Sequence, residues 1–250
     1  MKAHFQILLA TLAVWISAGN TMAADVSAKF DVANKLYAEG KFADAAATYE
    51  KILQFGAVSL ALYFNYGNAE FKAGNLGRAI AAYRQAEQLS PRDADVRANL
   101  EFARSQVQGV KASANRWENW LGTLTLNEWT ALAAISFWLT FVLLAIMQIW
   151  PASKTVLGGF TRAVAIVMIL SGVGCGAAVS IHVSKKTVVV VAPDLVARSG
   201  PFDDAQNVFT AHDGAEFAVL SGRGDWLQVA DSSGKIGWLE RAQVKILPGI

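Results

Sequence analysis

The chain has 250 residues, of which 54% are apolar and only 17% charged, with a formal net charge of +2 at pH 7 and one cysteine. Residues 24–110 hold ten basic and ten acidic side chains and residues 185–250 hold seven and eight, so neither region has the basic excess that binding a phosphate backbone requires. A lone thiol, Cys175, excludes an intrachain disulfide and a Cys-rich zinc site.

The low charge, against roughly a quarter in an ordinary domain, traces to three apolar stretches. The first follows Lys2. Phe5–Ala18 is a core of 14 residues, apolar except for Gln6, Thr11 and Ser17, and small residues follow it. This is the pattern of a secretory signal peptide over residues 1–23, with cleavage expected after Ala23. The core is shorter than the about 20 residues of a spanning helix. As a signal or as an uncleaved anchor, it sends the next segment across the membrane.

Residues 24–110 contain a repeat. A shift of 34 residues lays Gly67 on Ala33, Gly74 on Gly40, Ala79 on Ala45 and Tyr83 on Tyr49. Small residues at these positions fit helices that cross closely. Gly40 and Gly74 fit turns that need positive φ, and Pro91 ends a helix. Asp93–Gln108 then reads as a capping helix with Val96, Leu100, Ala103 and Val107 on one face.

The period and the residues Tyr63, Gly67, Gly74, Ala79, Tyr83, Ala86 and Pro91 resemble the tetratricopeptide repeat. The first copy is weaker, with Ala57 where the second has Pro91. The resemblance implies a concave groove for protein partners. Phe30, Asn34 and Tyr37 would line it in the first copy, and Phe64, Asn68, Phe71 and Lys72 in the second. The Asn pair with Lys72 would hold a peptide backbone or carboxylate; the alternative is that these are ordinary surface residues.

Residues 111–128 place Trp117, Trp120, Leu121 and Leu124 at helical spacing, as in an amphipathic interfacial linker. Residues 129–150 carry no charge and span about 33 Å as a helix, enough for a bilayer core. Trp129 and Trp150 suit the two headgroup zones. A cytoplasmic loop is expected at 151–162, then a second transmembrane helix at 163–183. Gly172 and Gly176 form a GxxxG pair, expected to pack on the first span or, alternatively, on a partner or second copy. Neither span has an ionised residue in its middle, which argues against a pump or channel. Two spans after an export signal leave both flanking modules in the periplasm of a multi-pass inner-membrane protein. Lys111, Arg116, Lys185 and Lys186 on the outer flanks run against the usual positive-inside bias.

From Thr187 the texture is that of short strands. They are expected at 187–192, 196–198, 208–211, 216–221, 226–230 and 235–239, with turns at Asp213-Gly214, Gly224-Asp225 and Ser233-Gly234. Three motifs, Leu195–Pro201, Gly224–Val229 and Gly234–Leu239, resemble the bacterial SH3-type (SH3b) family over 187–250. The resemblance implies a small barrel and a ligand surface at Arg198, Trp226 and Trp238. The alternative places at least one of the tryptophans in the core.

The sequence holds no HExxH, no GxxxxGK[ST] and no GxSxG, so no catalytic residue, metal site or cofactor is expected. The fold class is a multidomain membrane protein: all-α tetratricopeptide helical repeats, a two-helix transmembrane hairpin and an all-β SH3-like barrel. This order of parts resembles the E-type (BatE) proteins of bacterial aerotolerance operons. That resemblance implies a non-catalytic inner-membrane scaffold for protein partners, among them von Willebrand factor A-domain proteins and a MoxR-type ATPase system. A peptidoglycan-binding envelope anchor and an accessory subunit of a membrane enzyme are the alternatives.

Overall fold

The computed structural model describes residues 25–108, 120–184 and 186–248. The expected signal peptide at 1–23 and the part of the interfacial linker that carries Trp117 lie outside these residues. The helical module has five helices: α1 (25–38), α2 (Phe42–Gln54), α3 (Leu60–Lys72), α4 (Leu76–Leu89) and α5 (Ala94–Gln106). Local chemistry sets several boundaries. Ser59 accepts from Leu62 N–H at the start of α3, and Asp93 accepts from Asp95 and Val96 N–H at the start of α5. The turns before α2 and α4 carry Gly40 and Gly74 at φ 77° and 88°, where a Cβ would be strained.

The repeat is written in hydrogen bonds as well as in packing. The Tyr49 hydroxyl donates to Asn34 Oδ1 at 2.5 Å, and Asn65 Nδ2 donates to the same oxygen at 3.1 Å. The Tyr83 hydroxyl and Asn99 Nδ2 converge on Asn68 Oδ1 in the same way, at 2.7 and 3.1 Å. All three partners shift by the 34-residue period. Ala33, Ala45 and Ala79 are fully buried, and a Cβ on Gly67 would lie 2.6 Å from the Tyr83 ring.

Two long apolar helices follow, α6 (Leu126–Ile149) and α7 (Lys154–Ser184), joined by a turn of 3₁₀ helix at Pro151–Ser153. The loop expected at 151–162 is therefore mostly helix. Lys154–Arg162 belongs to one continuous helix, and Gly158-Gly159 does not interrupt it. Thr125 and Glu128 form a reciprocal capping box at the start of α6. Of the expected linker at 111–128, the described residues 120 and 121 are helical, 122–125 are not, and 126–128 already belong to α6.

The helices pack along a narrow seam. Trp129, Ser136, Thr140 and Leu143 are buried on α6; Thr161, Val164, Ser171 and Gly174 are buried on α7. Both sets follow three-four spacing, the pattern of left-handed helix pairs. Ser136 and Ser171 hydroxyls meet at 3.3 Å. A Cβ on Gly174 would lie 2.4 Å from the Trp129 ring, whereas Gly172 and Gly176 face open space. This corrects the expectation that the GxxxG pair packs on the first long helix. Successive helical residues turn by about 100°, so Gly174 points away from Gly172 and Gly176, and only Gly174 meets α6. Trp129 is likewise buried: its Nε1 donates to the Leu121 carbonyl and its ring packs on Trp120. Trp150 is exposed.

The C-terminal module is one antiparallel sheet of seven strands. They are β1 (Lys186–Val190), β2 (Asp194–Arg198), β3 (Asn207–His212), β4 (Glu216–Arg223), β5 (Trp226–Ala230), β6 (Ile236–Glu240) and β7 (Val244–Pro248), in the order β3-β2-β6-β5-β4-β1-β7. β7 was not expected. The sheet is not closed, since β3 and β7 are its two edges, and this differs from the expected barrel. It is nevertheless curled. Phe209 of β3 stacks on Phe217 of β4 at 5.6 Å although three strands separate them in the order. Val188, Leu195, Ala197, Leu227, Val229 and Leu239 share the core inside the curl.

The sheet docks on the repeats. Val189 and Leu247, both fully buried, join Ile80, Tyr83, Leu100 and Ala103 in one apolar cluster. The backbone of Gly77 lies against this module so closely that a Cβ there would be 1.9 Å from the Val190 carbonyl oxygen. Arg92 ties the α4–α5 turn to the hairpin by donating to the Thr123 carbonyl and both oxygens of Glu128.

Candidate functional site

The predicted groove residues separate into two groups. Phe30 packs on Tyr49, Phe64 on Tyr83 and Tyr37 on Phe42, with ring centroids 5.7, 6.1 and 5.2 Å apart. These half-buried rings join helices within the stack. Asn34 and Asn68 spend their carbonyl oxygens on the Tyr–Asn pairs described above. Burial pushes the Tyr49 and Tyr83 hydroxyls up from the ordinary phenol value, so both stay protonated donors. Phe71 and Lys72 are at the end of α3, where Lys72 is exposed. Phe71 meets Phe102 of α5 at 5.6 Å, and Phe102 is 56% exposed.

Phe102 was missed, although the signal was present: it stands 34 residues after Asn68. Continuing the period past Pro91 makes α5 the first helix of a third repeat. The second helix of that repeat has no counterpart among the described residues. Val189 of β1 and Leu247 of β7 cover α4 and α5 instead.

Arg198, Trp226 and Trp238 come together. Arg198 is opposite Trp238, Trp238 is opposite Gln228, and Trp226 is two residues from Gln228 along β5. Alternation places all three on the outer face of the sheet, while Leu227, Val229 and Leu239 point into the core. Neither tryptophan is in the core, which corrects that alternative; aliphatic side chains and Phe217 fill it.

The contact between the modules is ionic as well as apolar. Glu216 of β4, with 6% of its side chain exposed, receives Arg104 Nε at 2.6 Å and Nη2 at 3.0 Å. Arg84 Nε approaches it at 3.4 Å but makes no aligned hydrogen bond. Burial lowers the Arg84 guanidinium from its ordinary value against the pull of Glu216. Burial acts on Arg104 in the same direction, but its bond to Glu216 raises it on balance. Asp213 lies against the N-terminus of α4 from the other module, where a Cβ on Gly77 would be 2.4 Å from its Oδ1 and Asn75 makes no side-chain cap; the nearby N–H groups of Gly77, Leu76 and Gly214 favour its charged form. Burial raises the Asp213 carboxyl in spite of these donors.

Among the described residues, no group of three or more His, Cys, Asp and Glu side chains could hold a metal ion. Stacked helix pairs closed by a sheet define a helical-repeat module. Residues 67–104 match the TPR (tetratricopeptide) repeat family. No curated protein matches the chain.

Proposed function

We propose that this chain is a non-catalytic membrane-anchored scaffold whose repeats and β module bind protein partners on one face of the membrane. The observation that carries it is the TPR repeat at 67–104, built into a stack by the duplicated Tyr–Asn–Asn bonds. The hairpin supports the anchor. Both helices are long and apolar enough to cross a membrane, and only 17% and 11% of their most apolar windows are buried. A soluble core helix would hide most of that surface. The export signal and the resemblance to BatE proteins favour the periplasmic face of a bacterial inner membrane. They also favour A-domain proteins and a MoxR-type ATPase system as partners. The curl of the sheet favours an SH3-like β module.

Labelling with a membrane-impermeant maleimide tests the anchor, in a Cys175→Ser background. Ala28→Cys and Ser221→Cys should react from the outer side of the inner membrane, and Ala152→Cys only after lysis. Equal labelling of all three, or release of the chain by alkaline carbonate, would defeat the reading. Mild-detergent purification with mass spectrometry should recover A-domain proteins. Both outward-facing tryptophans favour a second reading, peptidoglycan binding, since flat aromatic faces also stack on sugars. Retention of the detergent-solubilised chain on peptidoglycan, lost in Trp226→Ala and Trp238→Ala, would support it.

A further inference from the structure

A cleft of about 510 Å³ runs between the repeats and the β module. Asn75 and Arg78 form one wall, Gln106 and Gln108 line the end of α5, and Asp194 and His212 form the wall opposite. Its volume is in the range of ligand pockets, about 300–1,000 Å³.

The cleft continues the groove. Gln106 lies one helical turn beyond Phe102, on the same face of α5. Gly74 and Asn75 follow Phe71 and Lys72 after Ala73 alone. The Phe71–Phe102 pair therefore opens at its C-terminal end into a polar space between two modules. The apolar end offers an exposed aromatic surface, the kind that anchors binding energy. The polar end offers carboxamides, which both donate and accept and so match a peptide backbone. It also offers one under-used cation. Arg78 is half exposed, and its ion pair with Glu70 spans 3.7 Å, too long for a hydrogen bond. The three acids nearby are already engaged: Glu70 accepts from Asn75 Nδ2 at 2.6 Å, Asp213 lies against the start of α4, and Asp194 pairs with His212 at 2.7 Å.

We propose that groove and cleft form one composite docking site for an extended peptide of a partner protein, with an apolar anchor on Phe71–Phe102 and a carboxylate on Arg78. The inference rests on the protein-binding reading of the repeats and adds the β module as a wall of the site. An extended chain covers about 3.3 Å per residue and a helical turn rises about 5.4 Å, so the carboxylate follows the anchor by about two to four residues.

The probe is a phage-displayed library of random peptides, selected on the full chain in lipid nanodiscs and re-measured as labelled synthetic peptides by fluorescence anisotropy. The expected consensus is an apolar residue followed at that spacing by Asp or Glu. Phe102→Ala and Arg78→Ala should each weaken binding about tenfold or more, equivalent to about 1.4 kcal/mol. Gln108→Ala, at an exposed position outside the helix, should weaken it by a smaller factor without touching the Glu70 pair. Peptides that respond to Phe102→Ala but to neither Arg78→Ala nor Gln108→Ala would overturn the composite site and leave the groove reading standing. No enrichment over nanodiscs carrying the Phe102→Ala chain would overturn both.

Discussion

Gly77→Ala is the sharpest perturbation of the contact between the two modules. On an isolated helix the change should help, since Ala is favoured over Gly by about 1 kcal/mol. Here the added Cβ would be 1.9 Å from the Val190 carbonyl oxygen and 2.4 Å from Asp213 Oδ1. Both distances fall far inside the about 3.5 Å of favourable contact, and the nearer atom is backbone, which cannot swing away. Relieving the clash costs about 1–3 kcal/mol. Moving the Asp213 carboxyl away from the α4 N-terminus adds about 1 kcal/mol of lost interaction with the helix dipole. After the propensity gain, the net loss is about 1–3 kcal/mol. Hydrogen exchange of the full chain in detergent reads this locally. Amides at the start of α4, in α5 and in β1 should exchange about five- to a hundredfold faster, while α1 and α2 change little. Gly172→Ala, which adds a methyl in open space, should change nothing at these sites. Gly77→Ala with wild-type or slower exchange would refute the close docking.

Glu216→Gln should cost about 3 kcal/mol, because it leaves the buried Arg84 with only Glu87, 4.0 Å away, as a counter-charge and takes the charge from the Arg104 bond; protease sensitivity of the junction before and after substitution measures it. Asp213 carries the opposite sign of pH dependence from a paired acid. Its folded pKa lies above the ordinary 3.8, so its favourable contribution is full below 3.8 and lost as pH rises through the higher folded value. Asp213→Asn should abolish that component of the pH profile of thermal unfolding and leave the acceptor in place, whereas Asp213→Ala should cost about 1 kcal/mol throughout. Tyr83→Phe removes one of the two bonds to Asn68 and should cost about 1 kcal/mol in the helical unfolding transition followed by circular dichroism.

The repeats were legible because their constraints are local and steric. Glycine at a positive-φ turn, alanine at a helix crossing and tyrosine between repeats each leave a mark at a fixed spacing. Six strands were legible from short alternating segments or, for β1, an unbroken β-branched run, with Gly or Pro turns between them. The seventh was not, since β7 follows a short 3₁₀ turn at Arg241–Gln243 that contains neither Gly nor Pro. GxxxG misled because a spacing of four names a face without saying what covers it. The three-four pattern of small and polar residues on both spans was the better signal. The docking of the modules could have been suspected from Val188-Val189-Val190. A strand with one wet face alternates, whereas an unbroken β-branched run is covered on both. Val188 and Val190 enter the core of the sheet, and Val189 enters that of the helices. Glu216 gave no such hint, because a charged residue at a strand start looks the same whether it meets water or two arginines.

The bond from Arg104 to Glu216 spans 112 positions of the chain, with the whole apolar hairpin between them. On a ribosome, α4 and α5 emerge first and then wait. Their arginines and the apolar surface that Val189 and Leu247 later cover stay wet while both long helices are made. Only the β module supplies what covers α5: Val189 from its first strand, Glu216 from its fourth and Leu247 from its last. Maturation of the N-terminal half is thus timed by the C-terminal half. A chain cut short after the hairpin would present an incomplete, sticky stack, a mark by which quality control could tell a truncated product from a finished one.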